Sequence, residues 1–171
     1  MTTITVTVSD NGVMLNAGDV SSPAAIGKSG VTRHQDKSEG DGMTPLGVWP
    51  LRCVYYRADR ISLPDCSLTT IPITDDMGWC DAPDHKDYNT VITLPFAASH
   101  EVMMREDSAY DIVIPLGYND APPEAGRGSA IFFHLLHDGK TYTEGCVAIP
   151  REVMLSILPM ITEDSVMIIQ K

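Results

Sequence analysis

Ser129-Ala130-Ile131-Phe132-Phe133-His134 and, one short loop later, Thr143-Glu144-Gly145-Cys146-Val147-Ala148-Ile149 are the two stretches that decide how this chain reads. Both are short apolar runs bounded by turn residues, the pattern of strands. The first ends on a histidine and the second begins beside a glycine-cysteine pair. A thiolate is a nucleophile, and a nearby imidazole can take the thiol proton. A glycine next to the nucleophile lets a substrate carbonyl come close to the backbone, where N–H groups can stabilise an oxyanion. The pair predicts a cysteine acyl-transfer enzyme, with Cys146 as nucleophile and His134 as general base and acid. The plainer alternatives are a buried structural thiol and a satisfied core histidine.

Outward from these stretches, frequent turn residues predict a β-rich domain. Strands are expected at Ile4 to Val8, Ala24 to Gly27, Gly47 to Tyr55, Leu68 to Ile73, Tyr110 to Leu116, Ser129 to His134, Glu144 to Ile149 and Asp164 to Ile169. Asp10-Asn11-Gly12 signals a tight turn after the first strand. Two short helices are expected, one over Ala97 to Glu106 and one from Pro150 to Pro159, since proline suits a first helical turn. Gly27 to Gly47 and Gly117 to Gly128 read as long loops, which are more often functional than short ones. With no repeat, low-complexity tract or linker, residues 1–171 read as one domain.

The composition narrows the function. A net charge of −11 argues against nucleic acid and against an anionic membrane surface. No apolar run approaches the ~18 residues needed to span a bilayer. Met1-Thr2-Thr3-Ile4-Thr5-Val6-Thr7-Val8 has neither a basic start nor a secretory hydrophobic block. The expectation is therefore a cytoplasmic protein, or a periplasmic one if a leader has been removed. Of the four cysteines, Cys53 and Cys80 read as buried thiols and Cys66 as a loop residue; no disulfide framework is indicated. His134, His137 and Cys146 could supply three zinc ligands, but no metal-binding spacing accompanies them, and neither metal nor cofactor is expected.

Three separated segments together resemble the YkuD-type catalytic domain of the L,D-transpeptidase family. They are Thr44-Pro45-Leu46-Gly47-Val48-Trp49, His134 at its strand end, and Gly145-Cys146. The resemblance spans about Ala25 to Leu158. It implies a mainly β fold, a β-sandwich of mixed sheets with one or two short helices and the cysteine in a cleft. It implies peptidoglycan stem peptides, a tetrapeptide or muropeptide, as substrate, and β-lactams such as carbapenems as covalent inhibitors. The cysteine of the family attacks the carbonyl of the third residue, usually diaminopimelate, and expels terminal D-alanine. The thioester then passes to an amine or to water. Two positions depart from the family pattern: Glu144 stands where a histidine is usual, and Ala148 where an arginine is usual. These departures resemble a branch that includes cytosolic L,D-carboxypeptidases of murein recycling.

Further roles follow for the neighbours. Gly145 and the Cys146 N–H are candidates for the oxyanion site, and Thr143 for orienting the histidine or a water. Arg127 could grip a substrate carboxylate with two hydrogen bonds, as could Arg33, Lys37 or Lys28. Ser129, Thr44 and His100 are the other candidates for the substrate cleft, with Tyr88 and Asp111 as supports. His137 reads as a solvated turn residue. Glu144 is expected to point away from the sulfur, because a carboxylate facing the thiol would raise its pKa. Three functions compete: an L,D-carboxypeptidase, an L,D-transpeptidase and an inactive peptidoglycan-binding module.

Overall fold

The computed structural model describes residues 2–137 and 139–171; the Asp138 of the expected turn after His137 lies outside them. The first strand, β1 (Thr3–Ser9), buries Ile4 and Val6 and leaves its threonines less buried, as the alternation predicts. Asp10 and Asn11 turn it into β2 (Gly12–Ala17), with Ser9 opposite Gly12 in a two-residue hairpin. Then come β3 (Val20–Pro23), β4 (Val31–Arg33), β5 (Thr44–Pro50), β6 (Val54–Tyr56) and β7 (Thr70–Pro72). The second half holds β8 (Met77–Cys80), β9 (Val91–Thr93), β10 (His100–Val102), β11 (Ile112–Pro115), β12 (Phe132–Leu135), β13 (Val147–Ile149), α1 (Arg151–Ile157) and β14 (Val166–Gln170).

The strands form three sheets, ordered β3-β2-β1-β14-β5-β4, β13-β12-β11-β6-β7 and β10-β8-β9. The first two are mixed: β1 runs parallel to β14, and β12 parallel to β13, beside antiparallel neighbours. They pack face to face. Ile4, Leu15 and Met167 of the six-stranded sheet meet Ile112, Phe133 and Ile149 of the five-stranded one, and Met154 and Ile157 of α1 join the same core. The other face of the five-stranded sheet has its own smaller core, where Tyr55, Val113 and Phe132 pack with Trp79 and Met103. The fold is mainly β, a sandwich of mixed sheets with one short α-helix.

Both faces of β11, β12 and β13 are therefore covered, and every residue of these strands is buried. That is why they read as unbroken apolar runs rather than as alternating strands. Several expectations need correction. The helix expected over Ala97 to Glu106 does not form; His100–Val102 is instead the strand β10, pairing Glu101 with Trp79 of β8. The segment's alanines, methionines and charges favour helix locally, but the open edge of β8 supplies a ladder that local propensity does not outweigh. Ala24 to Gly27 forms only isolated bridges, from Ala25 to Ala148 and from Gly27 to Thr143. Gly47 to Tyr55 splits into β5 and β6. Gly27 to Gly47 is not all loop: it holds β4 and a 3-10 turn over His34–Asp36, and it runs into β5. Cys53 is half-buried rather than buried, and all four cysteines are free.

Candidate active site

Strand alternation places the two key residues. In the parallel pair β12–β13, His134 lies opposite Ala148 and Phe133 opposite Val147. Phe133, Leu135, Val147 and Ile149 point into the main core. With a period of two, Phe132, His134, Cys146 and Ala148 must share the other face. His134, Cys146 and Ala148 line one cleft of about 220 Å³.

Cys146 is held by backbone. Its Sγ donates to the Ala130 carbonyl at 3.2 Å and accepts the Phe132 N–H at 3.4 Å. Burial, reinforced by the nearby Glu101 carboxylate, pushes the thiol up to about 12. His134 is equally enclosed, and burial brings its imidazole down to about 4. At neutral pH both groups are uncharged. The pair rests as thiol and neutral imidazole, not as an ion pair. The His134 Nδ1 lies 2.9 Å from the Leu135 carbonyl. A carbonyl only accepts, so Nδ1 carries the proton and Nε2 keeps the free lone pair that a general base needs. The Tyr110 ring stands edge-on to the imidazole, 5.4 Å between centroids.

The turn before Cys146 is braced from two sides. Thr143 Oγ1 donates to the Cys146 carbonyl at 2.7 Å and accepts the Gly145 N–H at 3.1 Å. Thr44, fully buried, accepts the Gly27 N–H at 2.8 Å and donates to the Gly145 carbonyl at 2.9 Å. Gly145 has φ +144, and a Cβ there would stand 3.0 Å from the Met43 carbonyl oxygen, so conformation and space both require glycine. The Gly145 N–H is taken by Thr143, which leaves the Cys146 N–H as the candidate oxyanion donor. Gly47 in the second motif has a similar reason: its φ is +150, and Trp49 folds over it, 2.4 Å from where a Cβ would be.

A second cleft, of about 240 Å³, opens against Cys146, lined by Lys37, Glu39, Asp81 and Ser129. Glu101 and Glu144 line both clefts. Burial raises the Glu101 pKa, and its Oε2 accepts the Tyr110 hydroxyl. Lys37 is buried and paired with Asp41 at 2.7 Å. Among the described residues no group of three or more His, Cys, Asp or Glu side chains is arranged to hold a metal ion.

The structure brings Cys146, His134, Gly145 and Thr143 together and puts Ser129 in the second cleft, its Oγ donating to Glu39 at 2.7 Å. Lys37, also a candidate, lines that second cleft, whereas Arg127, Thr44 and His100 stand apart from both. Arg127 is directed to the His34 carbonyl at 3.2 Å and lines neither cleft. Thr44 lies beneath the nucleophile turn, its hydroxyl already engaged on both sides, so it braces the turn instead of contacting substrate. His100 bonds the Ala98 carbonyl and packs on Phe96, while its neighbour Glu101 takes the cleft. A strand reading of 100–102 would have pointed to this alternation. Glu144 is paired with Lys28 at 2.7 Å and is largely exposed, while it lines both clefts beside Cys146. His137 is not a purely solvated residue: it lines the first cleft, 4.0 Å from Asp107. Arg105, Tyr110 and Glu101 were not legible as site residues. Glu101 and Arg105 come from the segment expected to be helical, and Tyr110 from the start of the strand expected at Tyr110 to Leu116, just ahead of β11.

Residues 2–169 match the family model YkuD, the L,D-transpeptidase catalytic domain. No curated protein matches the chain. The family match covers nearly the whole chain, and the chain belongs to this family of cysteine-dependent enzymes acting on peptidoglycan.

Proposed function

We propose that this member of the L,D-transpeptidase family is an L,D-carboxypeptidase that removes terminal D-alanine from murein tetrapeptides through a thioester on Cys146. The observation that carries acyl transfer is the placement of Cys146 and a correctly tautomerised His134 on one face of β12–β13, in one cleft. In the first half-reaction Nε2 of His134 takes the thiol proton as Sγ bonds to the carbonyl carbon of the third residue. The Cys146 N–H faces the developing oxyanion. The C–N bond to D-alanine then breaks, and His134 returns the proton to the leaving amine. In the second half-reaction His134 takes a proton from water, the hydroxide adds to the thioester, and Sγ leaves with the proton.

Water rather than an amine is favoured as acceptor by the charge of the second cleft. Glu39, Asp81, Glu101 and Glu144 line it, against Lys37 paired to Asp41. Such a wall stabilises an ammonium ion and lowers the fraction of free amine, the form that attacks a thioester. Water has no such handicap. The transpeptidase reading is favoured by one feature, the existence of this second access to Cys146, through which an acceptor peptide could enter. The same thiol is the site at which a carbapenem would acylate.

Mass spectrometry of a tetrapeptide and a disaccharide-tetrapeptide, with and without added D-methionine, tests the reading. Loss of one alanine by the wild type and not by Cys146→Ala is the expected result. Dimers, or exchange of D-alanine for D-methionine in excess of hydrolysis, would replace it with the transpeptidase. Unchanged peptides with both proteins would overturn both enzymatic readings for these substrates.

A further inference from the structure

Ala130 supplies the carbonyl that takes the Cys146 thiol hydrogen, and it does so from a backbone conformation that alanine rarely adopts, φ +52. Nothing in its own side chain favours that conformation. Its N–H goes to the side-chain Oδ1 of Asn89 at 2.9 Å. That oxygen also accepts the indole N–H of Trp79 at 3.0 Å. The amide nitrogen of Asn89 donates to the carbonyls of Tyr118 at 3.2 Å and Asn119 at 2.7 Å. Both donors and both lone pairs are thus in use, and the partners permit only one amide orientation. Asn89 is itself left-handed, at φ 57, and buried. The preceding residue helps: Tyr88 accepts the Gly128 N–H at 3.0 Å on its hydroxyl.

We propose that Asn89 is a positioning residue for the nucleophile. It clamps Ala130 in the left-handed conformation and so aims the Ala130 carbonyl and the Phe132 N–H at Sγ, which fixes the thiol rotamer from behind. Asn89 lines a separate cavity with Trp79 and Phe132 and neither of the clefts that reach Cys146, so it acts without touching substrate. An amide is suited to the task. It offers an acceptor to one strand segment and donors to another, and it adds no charge beside a thiol whose ionisation is already opposed by Glu101.

The turnover arm of the test rests on the carboxypeptidase reading; the alkylation arm does not. Alkylation of Cys146 by iodoacetamide, followed by intact mass, is measured for wild type, Asn89→Ala, Ala130→Gly and the double variant, beside kcat and KM on tetrapeptide. Asn89→Ala is expected to change the alkylation rate at least fivefold and to lower kcat about tenfold or more, with KM within twofold. Ala130→Gly alone is the reference against which the double variant is read. In the double variant, glycine reaches positive φ without the clamp, so most of the lost kcat and the wild-type alkylation rate should return. A purely structural asparagine would lower the unfolding temperature without that rescue. If Asn89→Ala does not fold, Asn89→Ser, whose hydroxyl is too short to span both segments, takes its place. Wild-type alkylation in a folded Asn89 variant, or a double variant as impaired as the single, would overturn the proposal. If wild type does not hydrolyse the tetrapeptide, the functional reading fails and alkylation still decides the role of Asn89.

Discussion

The two faces of β12–β13 differ in what they ask of a side chain. On one, Phe133, Leu135, Val147 and Ile149 meet the six-stranded sheet and α1, and none is more than 1% exposed. On the other, Phe132, His134, Cys146 and Ala148 meet a thinner layer that is interrupted by clefts, and the proposed nucleophile and base, Cys146 and His134, retain 8% exposure. One face is selected for volume. The other is selected for where single atoms lie. The contrast shows how a strand only a few residues long can anchor a sandwich and present a nucleophile, because neighbouring residues belong to different environments.

Substitution on the two faces should therefore give opposite signatures. Cys146→Ala removes a small side chain from the functional face and should abolish turnover, by about 10³-fold or more, with an unfolding midpoint close to wild type. Phe133→Ala on the core face should cost about 3–5 kcal/mol of stability, read by denaturant unfolding, while the remaining folded fraction keeps a measurable kcat. A Cys146→Ala protein that fails to fold, or a Phe133→Ala protein of full stability, would erase the distinction.

Titration sharpens the comparison, because only the functional face carries a buried ionisable pair. His134 is held to about 4 in the fold, against an ordinary value of 6.5. Its neutral form is the one that folding favours. The associated stability is complete above pH 6.5 and is lost as pH falls towards 4, amounting to about 3 kcal/mol. Glu101, raised by burial, works in the opposite direction on its own titration. The difference between wild type and His134→Gln isolates the histidine: the wild-type unfolding free energy should fall more steeply between pH 6.5 and 4. Parallel profiles would mean that His134 is not enclosed as the structure has it.

The core face was the more legible of the two in sequence. Apolar runs around Phe133 and Val147 announce buried strands whatever their partners, and the glycine-cysteine pair with an upstream histidine announces the chemistry. The rest of the site depends on contacts far apart in the chain. Glu101 was hidden because Ala97 to Glu106 has helical propensity, and only the free edge of β8 makes His100–Val102 a strand. Asn89 was hidden because its meaning lies in Ala130, Tyr118 and Asn119, none of them near it in sequence. Arg127 has the chemistry for a carboxylate clamp, but the turn that carries it directs it to His34.

Thr44 offers a smaller test, one that reaches the functional face from beneath. Thr44→Val keeps the shape and removes the hydroxyl, leaving the Gly27 N–H and the Gly145 carbonyl without this partner. Unmet buried groups of this kind cost about 1–3 kcal/mol. Because Gly145 adjoins the nucleophile, kcat should fall as well. A loss of stability with unchanged kcat would separate the brace from the chemistry.

The smallest effect is expected at Glu144, which lines both clefts and yet lies at the surface, paired with Lys28. Their ion pair is short, 2.7 Å, but the side chains are 72% and 49% exposed, so water and salt screen it. Glu144→Gln should leave the unfolding midpoint where it is. Its charge, however, is one of four carboxylates that line the second cleft. Removing it should make an amine acceptor slightly more competitive with water, raising D-amino-acid exchange relative to hydrolysis by about twofold, and less at high salt. A Glu144→Gln enzyme with an unchanged ratio at every ionic strength would show that the acidic rim does not select the acceptor. The choice between water and amine would then fall to Glu39, Asp81 and Glu101, deeper on the functional face.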